Sequence, residues 1–262
     1  MNDDFERYID NTATGFYDLI VFCKVNGMRA SLLDYAKAVA PTWYWFMDPM
    51  STAKAIDATY YAQNATFASA TASDVAERFK LINNNAYHLI EGFDPDLYYP
   101  EDLKKIHDIV FIGNYTSVRY NQIISLRTLG HQITVFGNGW EDANITPVYG
   151  EDERIEMNQA KWVLNFCQDD IIFSDRIVKA LACGANIISS ECEDLKRSTW
   201  YSGMQQLKTF SSLGEFDTII SNSTASEGFE KITAGTMKEY FSWKSVCAVD
   251  ILERVKEWRE KQ

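Results

Sequence analysis

The chain has 262 residues, of which 46% are hydrophobic, 14% aromatic and 24% charged, a globular composition with room for one large domain or two of about 100 to 150 residues. Its 25 basic and 37 acidic residues leave a net charge of −12; seven basic and 13 acidic residues precede Pro100 and 18 and 24 follow, so each part carries −6. That balance disfavours a general polyanion-binding surface and leaves only a local basic cleft as an anion site. No apolar run reaches membrane-spanning length, and the acidic start, Met1 to Asp10, lacks the pattern of a signal peptide. A cytoplasmic chain without membrane contact is expected. The five cysteines include no Cys-x-x-Cys pair, so reduced, mostly buried thiols are expected and a zinc site is not.

Short apolar runs alternate with segments of helical period, the pattern of parallel α/β layers. Strands are predicted over Tyr17–Cys23, Thr42–Met47, Ala65–Ala70 and Tyr87–Glu91, with a helix through Leu32–Ala40 and another, capped from Thr71 and Asp74, reaching Lys80. Gly92 to Pro100 holds two prolines and is read as an interdomain linker. The alternation then restarts. Strands are predicted at Asp108–Ile112, Gln132–Phe136, Trp162–Phe166, Asn186–Ser189 and Leu207–Phe210. Helices are predicted at Ser117–Leu129, Glu151–Lys161 and from a Ser174 cap to Gly184, with an amphipathic tail helix over Ser242–Gln262. The domains implied are 1–100, 101–240 and the tail helix 241–262.

Two strand-to-helix junctions suit an anion. The first, Ile112 to Arg119, joins a strand end, Gly113, Asn114 and an Arg at a helix start, where unpaired N–H groups and the helix dipole favour phosphate, although taken alone an ordinary loop with a solvated Arg is the commoner case. In the second, Arg176 and Lys179 lie three apart in the first turns of a helix, where the dipole disfavours cations unless an anion sits opposite. The plainer account is that Asp175 neutralises Arg176 and Lys179 is solvated. Gly137-Asn138-Gly139 lacks the third glycine and the helix start of a dinucleotide fingerprint. Asp94-Pro95-Asp96 fits either a metal-binding Asp-x-Asp or a turn. Asp48 ends an aromatic strand before Pro49, at the edge where α/β folds place ligands, which makes it the best carboxylate for a general base, with a structural turn as the equal alternative. His88, His107 and His131 suit surface or core roles.

Taken in order, Ile109–Gly113, Arg119, Gly130-His131, Val135–Trp140, Val148–Glu151, Ala160-Lys161, Leu164-Asn165 and Arg176 through Gly184 resemble the nucleotide-sugar-binding half of GT-B glycosyltransferases, and within them the CgeB-like group related to spore-maturation proteins. Trp45 with Asp48-Pro49, and Glu91–Pro95 with Tyr98–Pro100, resemble segments of that group's first half. The resemblance runs from about Tyr17 to Val255. It implies an α/β chain of two Rossmann-like domains, the first shortened, with the C-terminal helix crossing back. It implies donor binding by Gly113, Asn114, Arg119, Gly139, Arg176 and Lys179, with Arg176 holding the leaving phosphate, a UDP-sugar as the leading donor, and no metal or other cofactor.

Two departures stand out. Lys179 replaces a Glu whose carboxylate accepts hydrogen bonds from ribose hydroxyls, which an ammonium cannot do; a phosphate contact is the alternative. The usual first strand and glycine-rich loop are also missing. An open acceptor face suits a bulky acceptor such as a protein, a polysaccharide or modified DNA, or completion by a partner chain in a homodimer. The leading expectation is a metal-independent glycosyltransferase with Asp48 as base and Arg176 at the leaving group. Its variant is a phage-type transferase acting on hydroxymethylated DNA bases. The rivals are a catalytically degenerate binding or scaffold protein and a metal-dependent Asp94/Asp96 transferase.

Overall fold

The computed structural model describes residues 4, 5, 7, 16–25, 27–142, 144–198, 204–223 and 230–261. Most of the acidic start, and the side chain of Cys247, lie outside the described residues. The chain divides into two compact units, residues 1–91 with 246–262, and residues 92–245. The division falls before the predicted linker, at Glu91/Gly92, and near 245 rather than 240.

The first unit holds β1 (Ile20–Cys23), α1 (Ala30–Val39), β2 (Thr42–Phe46), α2 (Met50–Ala55), α3 (Ala58–Asn64), β3 (Phe67–Ala70), α4 (Ser73–Lys80) and β4 (Ala86–His88). Its sheet is parallel in the order β1-β2-β3-β4. All five residues of β2 are buried, which is why the strand reads as one apolar run rather than an alternation. Trp43 and Trp45 pack with Phe67, Tyr87 and Val255 of the tail helix. Tyr44 meets Tyr61 and Phe79 from α3 and α4.

The second unit holds β5 (His107–Ile112), α5 (Ser117–Thr128), β6 (Ile133–Phe136), α6 (Glu151–Asn158), β7 (Ala160–Asn165), α7 (Arg176–Ala182), β8 (Asn186–Ser190), α8 (Glu193–Arg197), β9 (Leu207–Phe210), α9 (Leu213–Asn222) and α10 (Glu230–Phe241). A π-helical turn at Lys244–Ala248 spans the boundary, and α11 (Val249–Glu260) belongs to the first unit. The second sheet is parallel in the order β6-β5-β7-β8-β9. Ile109, Phe111, Ile123, Leu126, Leu164 and Phe216 form part of its core.

Several boundaries differ from expectation. Residues 50–64 form two helices where none was predicted. Thr71 does not cap α4, whose N-cap is Ala72 with no side-chain bond. Ser174 does not cap α7 either; Asp175 holds that position. The supposed linker is a strap on the second unit: Asn158 takes Glu101 N–H and donates to Tyr99 O. Buried Arg154 pairs with Glu101 and lies over the Tyr99 ring.

Candidate functional site

In the second sheet the strand order reverses between β5 and β7, and α/β sheets bind ligands in the crevice outside the carboxyl ends of strands at such a reversal. Arg176 fills that point. Its Nε donates to Ile112 O at the end of β5 (2.5 Å), and its Nη1 donates to Asn165 Oδ1 at the end of β7 (2.5 Å) and to Ser174 Oγ (3.3 Å). The guanidinium lies 5.1 Å from the centroid of the Phe111 ring, and that of Arg119 lies 5.8 Å from the same ring. Arg119 Nη1 donates to Asn114 O (2.9 Å). Thr116 caps α5 by accepting Arg119 N–H.

Among the described residues neither arginine is ion-paired. Asp175, beside Arg176 in sequence, is taken by Lys179 at 2.6 Å, so the neutralisation the plainer account assigned to Arg176 goes to Lys179. Arg176 is 8% exposed. Burial first, and then the like charge of Arg119, push its guanidinium down to about 10, which still leaves it cationic at neutral pH. Burial also lowers Arg119. Holding a guanidinium out of water without a carboxylate costs on the order of several kcal/mol. An anion reaching both arginines would relieve that cost. Arg176 Nη2 makes no hydrogen bond among the described residues, and it faces Gly113, where an added Cβ would lie 2.8 Å away.

The loops after β5 and β6 interlock beside this cation pair. Gly113 N donates to Phe136 O (2.8 Å), Trp140 Nε1 to Gly113 O (3.0 Å), and Tyr115 N to Asn138 O (2.8 Å). Asn138 N reaches Asn114 Oδ1 at 3.3 Å. Gly137 sits at φ +151 with its Cα against the Gly113 carbonyl, and a Cβ there would lie 2.0 Å from that oxygen. Gly139, at φ +79, packs beside Tyr115. Gly113, Asn114, Arg119, Gly139 and Arg176 therefore converge. Phe111, Asn165 and Trp140 hold them; all three lie in the motifs that carry the resemblance, but the sequence assigned them no role at the site.

Lys179 has two carboxylate neighbours. It lies between Asp175 and Glu153 (3.5 Å) and over the Tyr98 ring (5.2 Å). Burial disfavours its charge, but the two carboxylates more than offset this and hold the ammonium above an ordinary lysine. Tyr98 donates its hydroxyl to Glu153, and burial followed by that carboxylate raises the phenol.

Asp48 belongs to the first unit, two residues past β2, 7% exposed and held through both oxygens by Lys24 at 2.8 and 2.9 Å. The first sheet has no reversal of strand order at that edge. Asp94 makes a turn, its Oδ1 accepting Asp96 N–H (2.9 Å), and among the described residues no group of three or more His, Cys, Asp or Glu is arranged to hold a metal ion. His88 bonds Thr71 O, His107 bonds Thr134 and Glu156, and His131 bonds Asp217. Among the described residues no helix is long and apolar enough to cross a membrane.

Residues 119–227 match the family model described as glycosyl transferase-like. No curated protein sequence matches the chain. Among solved structures, sucrose-phosphate synthase from Thermosynechococcus elongatus superposes with TM-score 0.69 at 12% identity, over 99% of this chain and 77% of that one. The Anabaena protein HepE in complex with UDP-glucose gives TM-score 0.63 at 15% identity, over 98% and 82%. An α-glucosyltransferase in complex with UDP-glucose and DNA containing an abasic site gives 0.67 at 10%, over 97% and 84%. The chain has the fold of the GT-B glycosyltransferases. Within this GT-B fold the matched glycosyl transferase-like segment begins at Arg119 and takes in Asn165, Arg176 and Lys179. Gly113 and Asn114 lie just ahead of it.

Proposed function

We propose that this chain is a metal-independent glycosyltransferase that moves a sugar from a nucleoside diphosphate sugar, a UDP-sugar first among them, to a hydroxyl of a bulky acceptor in the cytoplasm. The observation that carries the reading is the pair Arg176 and Arg119, cationic, without carboxylate partners among the described residues, and set at the reversal of strand order in the second sheet. Breaking the bond between the anomeric carbon and the β-phosphate oxygen leaves negative charge on that oxygen. Arginines fixed in advance stabilise such charge without rearranging at the moment of reaction. Arg176 fits the role because Ile112 O and Asn165 Oδ1 fix its plane while Nη2 stays open. Gly113 lets the ligand approach, and Lys179 acts as a positioning residue for Glu153. Asp48 is the proposed base for the acceptor hydroxyl. The finer kinship, to the CgeB-like group, rests on the order of short motifs from Ile109 to Gly184.

Calorimetric titration with UDP, GDP, TDP and CDP sugars tests the donor. Heat with at least one of them, lost in Arg176→Ala, is expected. No heat with any, together with an Arg176→Ala variant indistinguishable from the parent, overturns the reading. Activity abolished by chelators and by Asp94→Asn would replace it with a metal-dependent transferase. Donor binding without transfer or hydrolysis would make the chain a binding module.

For the acceptor, the likeness to a transferase bound to DNA motivates one arm of the test. A salt-sensitive gel shift with hydroxymethylated duplex DNA would favour that acceptor, against the −12 charge.

A further inference from the structure

A cavity of about 650 Å³ opens at the carboxyl ends of β7, β8 and β9, lined by Cys167, Ser190, Cys192, Phe210 and the start of α5 among others. Two thiols share it. Cys167 follows β7 and is half-buried, its N–H donating to Ser190 Oγ (2.8 Å) and its Sγ to Ser190 O (3.2 Å). Cys192 follows β8, and both thiols are free. β7 and β8 are paired in parallel with Asn165 opposite Ser189, which sets Cys167 and Cys192 just beyond neighbouring strand ends, spaced about 4.8 Å apart in a sheet. Cys167 and Cys192 therefore face one cavity from adjacent strand ends. Bonds from Cys192, Ser190 and Ser189, with the nearby Arg176 charge, outweigh burial and lower the Cys167 thiol, whereas Cys192 is raised. A low thiol with a cavity beside it and a second thiol lining that same cavity is the arrangement of an attacking and a resolving cysteine.

We propose that Cys167 and Cys192 are a hydroperoxide-reactive dithiol that closes to a disulfide and, in closing, weakens the anion seat at Arg176. The Cys167 thiolate attacks one peroxide oxygen; an S–O bond forms, the O–O bond breaks, and hydroxide leaves and takes a proton. The Cys192 sulfur then attacks the Cys167 sulfur. The S–S bond forms, the S–O bond breaks, and the Cys192 proton leaves with the hydroxyl as water. Two thiols lose two electrons and one hydrogen peroxide becomes two waters.

The link to Arg176 runs through Asn165. Its Nδ2 touches Cys167 Sγ at 3.8 Å and Ser189 Oγ at 2.9 Å, while its Oδ1 accepts from Arg176 and from Ser174 Oγ. Drawing Cys167 Sγ to bonding distance, about 2.05 Å from its partner, removes one of the contacts that orient this amide.

The test uses the full reduced chain treated with equimolar hydrogen peroxide, alkylated, digested and mapped by mass spectrometry. A Cys167–Cys192 cross-link is expected, absent in Cys192→Ser and Cys192→Ala, where Cys167 is instead trapped as a sulfenic acid by dimedone. Cys167 still carrying the alkylating label while exposed Cys23 is oxidised, or a cross-link that persists without Cys192, overturns the proposal. The effect on the seat rests on the nucleotide-sugar reading and is measured as UDP affinity before and after oxidation. A loss of about threefold or more, reversed by dithiothreitol, is expected, and equal affinity overturns the coupling. Reduced protein that binds no UDP counts against the nucleotide-sugar reading alone, because the cross-link is scored by mass.

Discussion

Adding one methyl group at Gly113 tests the anion seat at its narrowest point. In Gly113→Ala the new Cβ would lie 2.8 Å from Arg176 Nη2 and 3.0 Å from Phe111 Cζ, inside ordinary van der Waals contact. The Phe111 ring is fully buried and cannot retreat, and Arg176 is tied by its bonds to Ile112 O and Asn165. Overpacking of this kind costs about 1–3 kcal/mol of stability. Whichever group yields, the methyl stands in the approach to the guanidinium nitrogen that has no protein partner. Losing one hydrogen bond to a charged group costs about 1.5–3 kcal/mol of binding, so UDP affinity should fall about 10- to 100-fold. Titration calorimetry reads the affinity, and a thermal melt with circular dichroism confirms the fold. A folded Gly113→Ala protein that binds UDP within about twofold of the parent would refute the reasoning, since the ligand would then not need that nitrogen.

Three further outcomes follow from the geometry. Gly137→Ala places Cβ 2.0 Å from the Gly113 carbonyl oxygen at φ +151, and should cost more than about 3 kcal/mol in urea unfolding or prevent folding; an unchanged midpoint would contradict the interlocked loops. Lys179→Met leaves Glu153 and Asp175 facing each other, so stability should drop by about 1–3 kcal/mol while UDP affinity stays within about threefold. A tenfold loss of affinity would show that the ammonium leaves its carboxylates for the donor. In iodoacetamide labelling of the folded chain, Cys167 should react with a midpoint below the ordinary thiol range of about 8.5, because its thiolate is favoured and its reactive fraction is present at lower pH. Burial pushes Cys183 up to about 12, and it should stay unlabelled at neutral pH. Equal rates at the two thiols would count against the lowered one.

The central strands were legible because they are buried on both faces and read as unbroken apolar runs, as Thr42–Phe46 and Ile109–Ile112 do. The helices of residues 50–64 were not, since Met50–Ala55 carries no apolar period and its N-cap has no side-chain bond. Helix α9 did have a signal. Ser212 accepts Glu215 N–H while Glu215 reaches back to Ser211, close to a capping box readable as Ser-x-x-Glu. At the site, Gly113, Arg119 and Arg176 were visible as strand-to-helix junctions. Asn165 as the partner of Arg176 was not, because that pairing depends on β5 lying beside β7, and strand order leaves no trace in periodicity. The partner of Lys179 was half visible, since Asp175 stands four residues before it, an ordinary helix pair.

The chain enters the second unit at Gly92 and leaves it after Ser245, and the two ends run side by side. Phe93 is bridged in parallel to Ser242, with Phe93 N donating to Phe241 O and Trp243 N donating to Phe93 O. In genetic terms residues 92–245 form a cassette. That one continuous stretch carries the whole anion seat together with its strap, and its two ends adjoin at Phe93 and Ser242.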